Sequence, residues 1–366
     1  MKRHFRKNHI LCLIIAVLMI CGCATSQPQQ TTRRYVWPRP PANPKIEWLK
    51  SYYSQNDFPK SGFESAMEVL FGEPDPIGFE KPIDIKSNGN GLVYVTDIVR
   101  NAVFVYDLVN FKVRVWKNSG DSERALAITP YFISLDRESN AYVVGTGDKN
   151  IYVLDTNGAL KQKISFAETV KAVGGIAVDD ARNRIYLVDT GGGKVEVFAI
   201  SGKHLFSFGK PGDAGGEFNR PQSITVNHKG EIVVGDTMNA RIQIFDGEGK
   251  FLRKFGQRGD AGPDFQVIKG VTVDSDDNIY VADGKANQIK IFNTRGEYLL
   301  SFGTAYSVPI TRREAPGGFL LPQGIHIDKN DSIFIADQAN MRFQHFKYLK
   351  DAEATDKVPD STGIKK

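Results

Sequence analysis

Gly270-Val-Thr-Val-Asp274, Asn278-Ile-Tyr-Val-Ala-Asp283, Gln288-Ile-Lys-Ile-Phe292 and Tyr298-Leu-Leu-Ser-Phe302 are four short apolar runs separated by turns carrying Asp, Asn and Gly. Their alternation and their β-branched and aromatic residues mark strands rather than helices. The same pattern recurs six times along the chain. First strands centre on Ile83, Ile133, Ile176, Ile224, Val271 and Ile325, at spacings of 50, 43, 48, 47 and 54 residues. Second strands carry Tyr94, Tyr142, Tyr186, Val233, Tyr280 and Phe334, and three residues later stand Asp97, Gly145, Asp189, Asp236, Asp283 and Asp337. Nine residues after each of those come Tyr106, Leu154, Phe198, Phe245, Phe292 and Phe346. Four short antiparallel strands repeated at this period form the blade of a propeller. With 35 Gly and 17 Pro breaking the chain at its turns, the expected fold is all-β: one six-bladed β-propeller over residues 45–351, followed by a polar tail at 352–366.

The sixth repeat stops after its third strand, whereas an orphan strand, Ile46-Glu-Trp-Leu-Lys-Ser-Tyr52, precedes the first blade. Pairing the two completes the last blade and removes an exposed sheet edge. Residues 23–44, rich in Pro, Gln and Thr, are expected to be an extended tether.

Basic residues number 47 and acidic residues 42, but Lys2, Arg3, Arg6 and Lys7 open the chain. Removing those four leaves 43 against 42, so the body offers no general attraction to nucleic acid. The basic start leads into an apolar run from Ile10 to Ile20, too short to span a bilayer at about 20 residues and suited to an export signal over residues 1–22. Ile20-Cys21-Gly22-Cys23 resembles the lipobox of bacterial lipoproteins, which implies lipid on Cys23 and attachment to a membrane. Ala24 after that cysteine favours the outer membrane, facing the periplasm or the cell surface. All three cysteines fall in this segment, so the body has neither a disulfide nor a Cys nucleophile.

Pro322-Gln-Gly-Ile-His-Ile-Asp328 followed by Ile333-Phe-Ile-Ala-Asp337 is similar to the NHL repeat, and the match extends over residues 79–349. The arrangement also resembles the tethered six-bladed propeller lipoproteins of bacteria, through its Trp-Pro-rich lead (Trp37 to Pro44), its closing strand, a helix-like segment (Gly62 to Phe71) and Phe71-Gly-Glu73. The resemblance implies a fold and leaves the ligand open.

The repeated aspartates suggest a Ca²⁺ ring, yet their recurrence in nearly every blade suits turn-holding roles better. Asymmetry is more informative. Counting one residue beyond each first-strand centre gives Asp84 in blade 1 and His326 in blade 6, against Ser134, Ala177, Thr225 and Thr272 elsewhere. Closure makes those two blades neighbours, so Asp84 and His326 are the candidate channel site, as an acid–base pair or as a polar pair satisfying itself. His204, His228 and His345 lie on other strands and turns and cannot converge with His326 on a metal. The long connection from Gly303 to Pro322 makes Arg312, Arg313 and Glu314 a candidate interaction loop. Phe63, Met67 and Leu70 fall at helical spacing and are expected to pack on the propeller. No phosphate loop or nucleophile elbow occurs. The expected function is binding or scaffolding in the cell envelope, with an envelope protein as partner, no nucleic acid and no resident cofactor. The competing reading is a lyase or hydrolase dependent on Ca²⁺ or Zn²⁺ at the channel.

Overall fold

The computed structural model describes residues 34–60, 62–72, 75–117, 128–146, 148–166 and 168–350. Each repeat forms one antiparallel sheet. Blade 1 comprises Pro82–Ser87, Leu92–Asp97, Ala102–Asp107 and Lys112–Lys117, and blade 5 comprises Ile268–Val273, Ile279–Asp283, Gln288–Phe292 and Tyr298–Phe302; blades 2, 3 and 4 have the same plan. Blade 6 supplies Pro322–Ile327, Ser332–Asp337 and Arg342–Tyr348, and its fourth strand is Ile46–Tyr52. The protein is a six-bladed β-propeller closed between its two ends.

Closure follows the sequence pattern. Ile46 pairs with Tyr348, Trp48 with Phe346 and Tyr52 with Phe343, and the Tyr52 ring stacks on Phe343 at 4.7 Å. A fifth strand, Tyr35–Trp37, lies outside it, pairing Tyr35 with Trp48 and Trp37 with Ile46. Trp37 packs against Phe302 and Phe346 at 5.7 and 5.9 Å. The body therefore starts at Tyr35 and takes in residues assigned above to the tether up to 44. Partial burial of Trp37 against blades 5 and 6 fixes this extended segment as a strand on the sheet. The signal segment, Cys23, the upstream tether and the tail lie outside the described residues.

The core consists of six apolar clusters, one at each interface between neighbouring blades. Tyr94 and Val103 of blade 1 meet Ile133 and Val143 of blade 2, and four further clusters repeat this around the ring. The sixth joins Phe334 and Phe343 of blade 6, with Tyr52 of the closing strand, to Ile85, Phe104 and Tyr106 of blade 1.

The repeated aspartates hold the segments that lead into the inner strands. Asp97 accepts the backbone N–H groups of Glu80 and Lys81 at 2.7 and 2.8 Å, Asp189 those of Lys171 and Ala172, and Asp337 that of Leu320 at 2.7 Å. Blade 2 has Gly145 because a Cβ there would lie 1.8 Å from Thr129 O. In blades 4, 5 and 6 the aspartate also pairs with a buried cation: Arg241, Lys290 or Arg342. Arg342 is fully buried. Its Nε donates to Asp337 at 2.8 Å, Nη1 to Glu314, Tyr53 and Ser51, and Nη2 to the carbonyls of Ala315 and Gly318. One guanidinium thus ties blade 6, the closing strand and the 303–322 connection together.

Removing one partner of a buried, hydrogen-bonded ion pair costs about 3–5 kcal/mol. Arg342→Met is therefore expected to lower the unfolding free energy by about that amount in urea titrations, while Arg313→Ala at an exposed position stays within about 0.5 kcal/mol of wild type; equal effects would remove Arg342 from the closure. His345, stacked on Phe334 at 4.4 Å, is pushed down to about 4, first by burial and then by Lys347. Its folded form stays neutral while the unfolded chain takes up a proton below about 6.5, so stability falls as pH drops from 6.5 towards 4, by about 1.4 kcal/mol per unit. His345→Phe keeps the stacking and is expected to remove its share of that slope, leaving the part due to His326, which burial also holds low, in unfolding titrations at pH 7 and pH 5.

Candidate functional site

The six inner strands surround an axial channel. Two adjoining chambers occupy it, and Ile176, Ile224, Val271, Ile325 and Lys86 line both. The upstream chamber, at the starts of the inner strands, has about 250 Å³ and is lined by Lys81, Asp84, Tyr131, Gln222, Lys269, Gln323 and Gln338 among others. The downstream chamber, of about 390 Å³, is lined by residues including Ser134, Asp136, Arg137, Asp180, His326 and Lys329.

Asp84 and His326 both belong to this region, but the structure does not bring them together as a pair. Across the inner pairing, His326 stands opposite Phe334, and the residue opposite the equivalent Tyr94 is Lys86. Blade 1 carries an irregularity between Pro82 and Ile85, so its true centre is Ile85, nine residues before Tyr94 as Ile325 is before Phe334. Asp84 instead stands level with Gly324, where a Cβ would come 2.6 Å from the Asp84 Cα. The matching rungs inferred from Ile83 are corrected by two residues.

Each of the two side chains serves a different blade junction. Asp84 is buried; its Oδ2 accepts Ile133 N–H of blade 2 at 3.0 Å, and Oδ1 accepts Ile85 N–H at 2.9 Å and Lys86 Nζ at 3.2 Å. His326 is half-buried and its Nε2 lies 3.0 Å from Ser87 O of blade 1. A carbonyl can only accept, so that nitrogen carries the proton. Burial, then Lys86, pushes the imidazole down to about 3, which leaves it neutral across the physiological range. The other junctions use comparable bonds: Ser134 accepts Val178 N–H, Thr190 donates to Pro221 O, Thr237 to Ile268 O, and Thr272 accepts Ile327 N–H.

The remaining sequence candidates take varied roles. Glu314 is committed to Arg342, Ser51 and Tyr53 at 2.7–2.9 Å, because a buried guanidinium requires a compensating carboxylate. It is a clamp rather than a free recognition group, whereas Arg312 and Arg313 are exposed. His204 contacts Glu196 at 2.7 Å, His228 contacts Asp277 at 2.9 Å, and His345 is half-buried against Phe334. Among the described residues no three His, Asp, Glu or Cys side chains converge as a metal set. The helix Gly62–Phe71 forms, but its stripe is not buried. Phe63 and Leu70 are 75% and 72% exposed, and Phe63 and Met67 line a shallow groove shared with Phe58 and Phe111.

Sequence reasoning missed the polar ring of the upstream chamber. At the position two before each true centre stand Ile83, Tyr131, Gly174, Gln222, Lys269 and Gln323, a different environment in nearly every blade. That asymmetry was visible in the repeats, three residues before the position inspected in blades 2 to 6.

A family model described as 6-bladed beta-propeller (DUF5128) matches residues 227–301. Among curated proteins, none matches the chain. Solved structures resemble it more broadly. A structural genomics protein of unknown function from Bacteroides thetaiotaomicron is 17% identical, with a TM-score of 0.59, over 74% of this chain and 70% of that one. Virginiamycin B lyase from Staphylococcus aureus, in complex with quinupristin, is 14% identical, with a TM-score of 0.52, over 76% and 83%. A streptogramin B lyase is 13% identical, with a TM-score of 0.55, over 74% and 94%. At these identities the likeness is one of fold: this chain shares the six-bladed β-propeller.

Proposed function

We propose that the protein is an NHL-type propeller lipoprotein of the cell envelope, held to the outer membrane by lipid on Cys23, and that it binds a ligand or an envelope protein rather than catalysing a reaction. The observation that carries the binding reading is the employment of the inner-strand polar groups. Asp84, Ser134, Thr272 and His326 each bond the backbone of a neighbouring blade. General acid–base work needs a group free to exchange a proton with substrate near neutral pH, and a neutral imidazole donating to Ser87 O is already occupied. A body built in this way is rigid, and rigid scaffolds present recognition groups at their loops and mouths. The tether, the signal-like start and the lipobox-like Ile20-Cys21-Gly22-Cys23 support the envelope location.

One observation favours a second reading, metal-dependent lyase or hydrolase chemistry at the channel: His326 lines the downstream chamber of a fold shared with two lyases. Two measurements test these readings. Cys23→Ser is expected to abolish incorporation of labelled palmitate and to move the protein from the membrane to the soluble fraction; unchanged membrane retention would contradict the anchor. Freshly purified protein is expected to contain divalent metal well below one ion per chain by mass spectrometry. A stoichiometric zinc or calcium ion that disappears in His326→Gln would replace the binding reading with the enzymatic one.

A further inference from the structure

We propose that the upstream chamber is a binding site for a small hydroxylated carboxylate, with Lys269 as the group that reads the carboxylate. This rests on the reading of the propeller as a binding body and gives that body a ligand class. The chamber meets its downstream neighbour at Ile176, Ile224, Val271 and Ile325, which line both. Three ammonium groups line it, Lys81, Lys86 and Lys269, against the single carboxylate of Asp84. That carboxylate is spent on Lys86 and on the backbone N–H groups of Ile85 and Ile133.

Lys269 has no such partner. Its stem lies over Gly284, where a Cβ would come 2.7 Å from Lys269 Cγ, and its Nζ has a long contact of 3.5 Å with Gln222 Oε1. Among the described residues no carboxylate pairs with it. Burial alone pushes its ammonium down, the mark of a cation that has lost water and gained no compensating charge. A half-buried charge without a counter-ion is costly in the free protein and is relieved by an anion that reaches it. Gln222, Gln323 and Gln338 surround the same space. Amides offer both donors and acceptors, which suits hydroxyl groups rather than a second charge.

The dimensions and charge set the class. About 250 Å³ is below the roughly 300–1,000 Å³ typical of drug-sized ligand sites. With Lys86 spent on Asp84 and Lys81 exposed, one half-buried ammonium without a carboxylate partner remains, which matches a monoanion better than a phosphate dianion. Hydroxyl-bearing carboxylates of sugar-acid size meet both conditions.

The test uses the full-length protein in detergent, with glucuronate, gluconate, glucose and inorganic phosphate as probes, followed by calorimetry and ligand-observed NMR. Saturable binding of glucuronate or gluconate, without glucose binding, is expected. Lys269→Met retains the stem and is expected to weaken that binding by at least roughly tenfold, the scale of one charge-assisted hydrogen bond. Because it removes a desolvated charge, this variant is also expected to unfold at an equal or higher temperature than wild type, which separates lost binding from lost folding. Gly284→Ala, which crowds the stem, is expected to weaken binding while the charge remains. Equal binding of glucose, preference for phosphate, unchanged affinity in Lys269→Met, or no binding by any probe each overturns the assignment. Those results would leave the wider binding reading standing if an envelope protein still crosslinks to the full-length chain in cells.

Discussion

A ring of six blades gains its full core only when the sixth interface forms as well as the other five. Bringing together chain ends roughly 300 residues apart costs about 5 kcal/mol in loop entropy plus a constant. The return comes from the cluster between blades 6 and 1, where Tyr52, Phe334 and Phe343 are buried against Ile85, Phe104 and Tyr106, at roughly 1.5–3 kcal/mol for each large apolar side chain. The closing strand is thus part of the core and not an accessory. Without it, blade 6 would present the edge of Arg342–Tyr348 to solvent, an open template for other chains.

Arg342 shows how that closure is made specific. Apolar burial alone would tolerate a slipped register, because neighbouring positions on the closing strand are also partly apolar. A fully buried guanidinium with fixed donors does not tolerate it. Ser51 and Tyr53, two residues apart on the closing segment, meet Nη1 in one register, and Glu314 reaches the same atom from the long connection. The equivalent cations of blades 4 and 5, Arg241 and Lys290, anchor on local carbonyls of their own connections, Ala214 and Glu217 in one case and Asp264 in the other. Blade 6 has extended a common blade device across the seam of the ring.

The fold was legible because its determinants repeat. Apolar periodicity, an aspartate three residues past the large apolar residue of the second strand, and another large apolar residue nine later recur in register, and each has a local physical cause that needs no knowledge of distant contacts. Gly145, the one departure at the aspartate position, has a local cause too: Thr129 O leaves no room for a side chain. The candidate site was less legible, for two reasons. Blade 1 offers both Ile83 and Ile85 as apolar centres, and only the irregularity between Pro82 and Ile85 decides between them; a register error of two residues put Asp84 on the rung that Lys86 occupies. The role of Glu314 depends on a partner 28 residues further on and on a closing strand more than 250 residues earlier, a convergence that spacing cannot encode.

The contrast between repeated and unrepeated positions also orders the chemistry of the molecule. A residue type that recurs in five of the six blades answers a demand that the blades share, as the aspartates do for the segments that enter the inner strands. Polar groups at the junctions vary in identity, from Asp84 to Ser134 to His326, but not in task, since each bonds the backbone of the next blade. The ring of Tyr131, Gln222, Lys269 and Gln323 satisfies neither description. It varies in both size and charge, and Lys269 carries a desolvation penalty that folding gives no partner to offset. A half-buried ammonium without a carboxylate partner, in a chamber ringed by amides, is a group that an anion entering from outside would relieve.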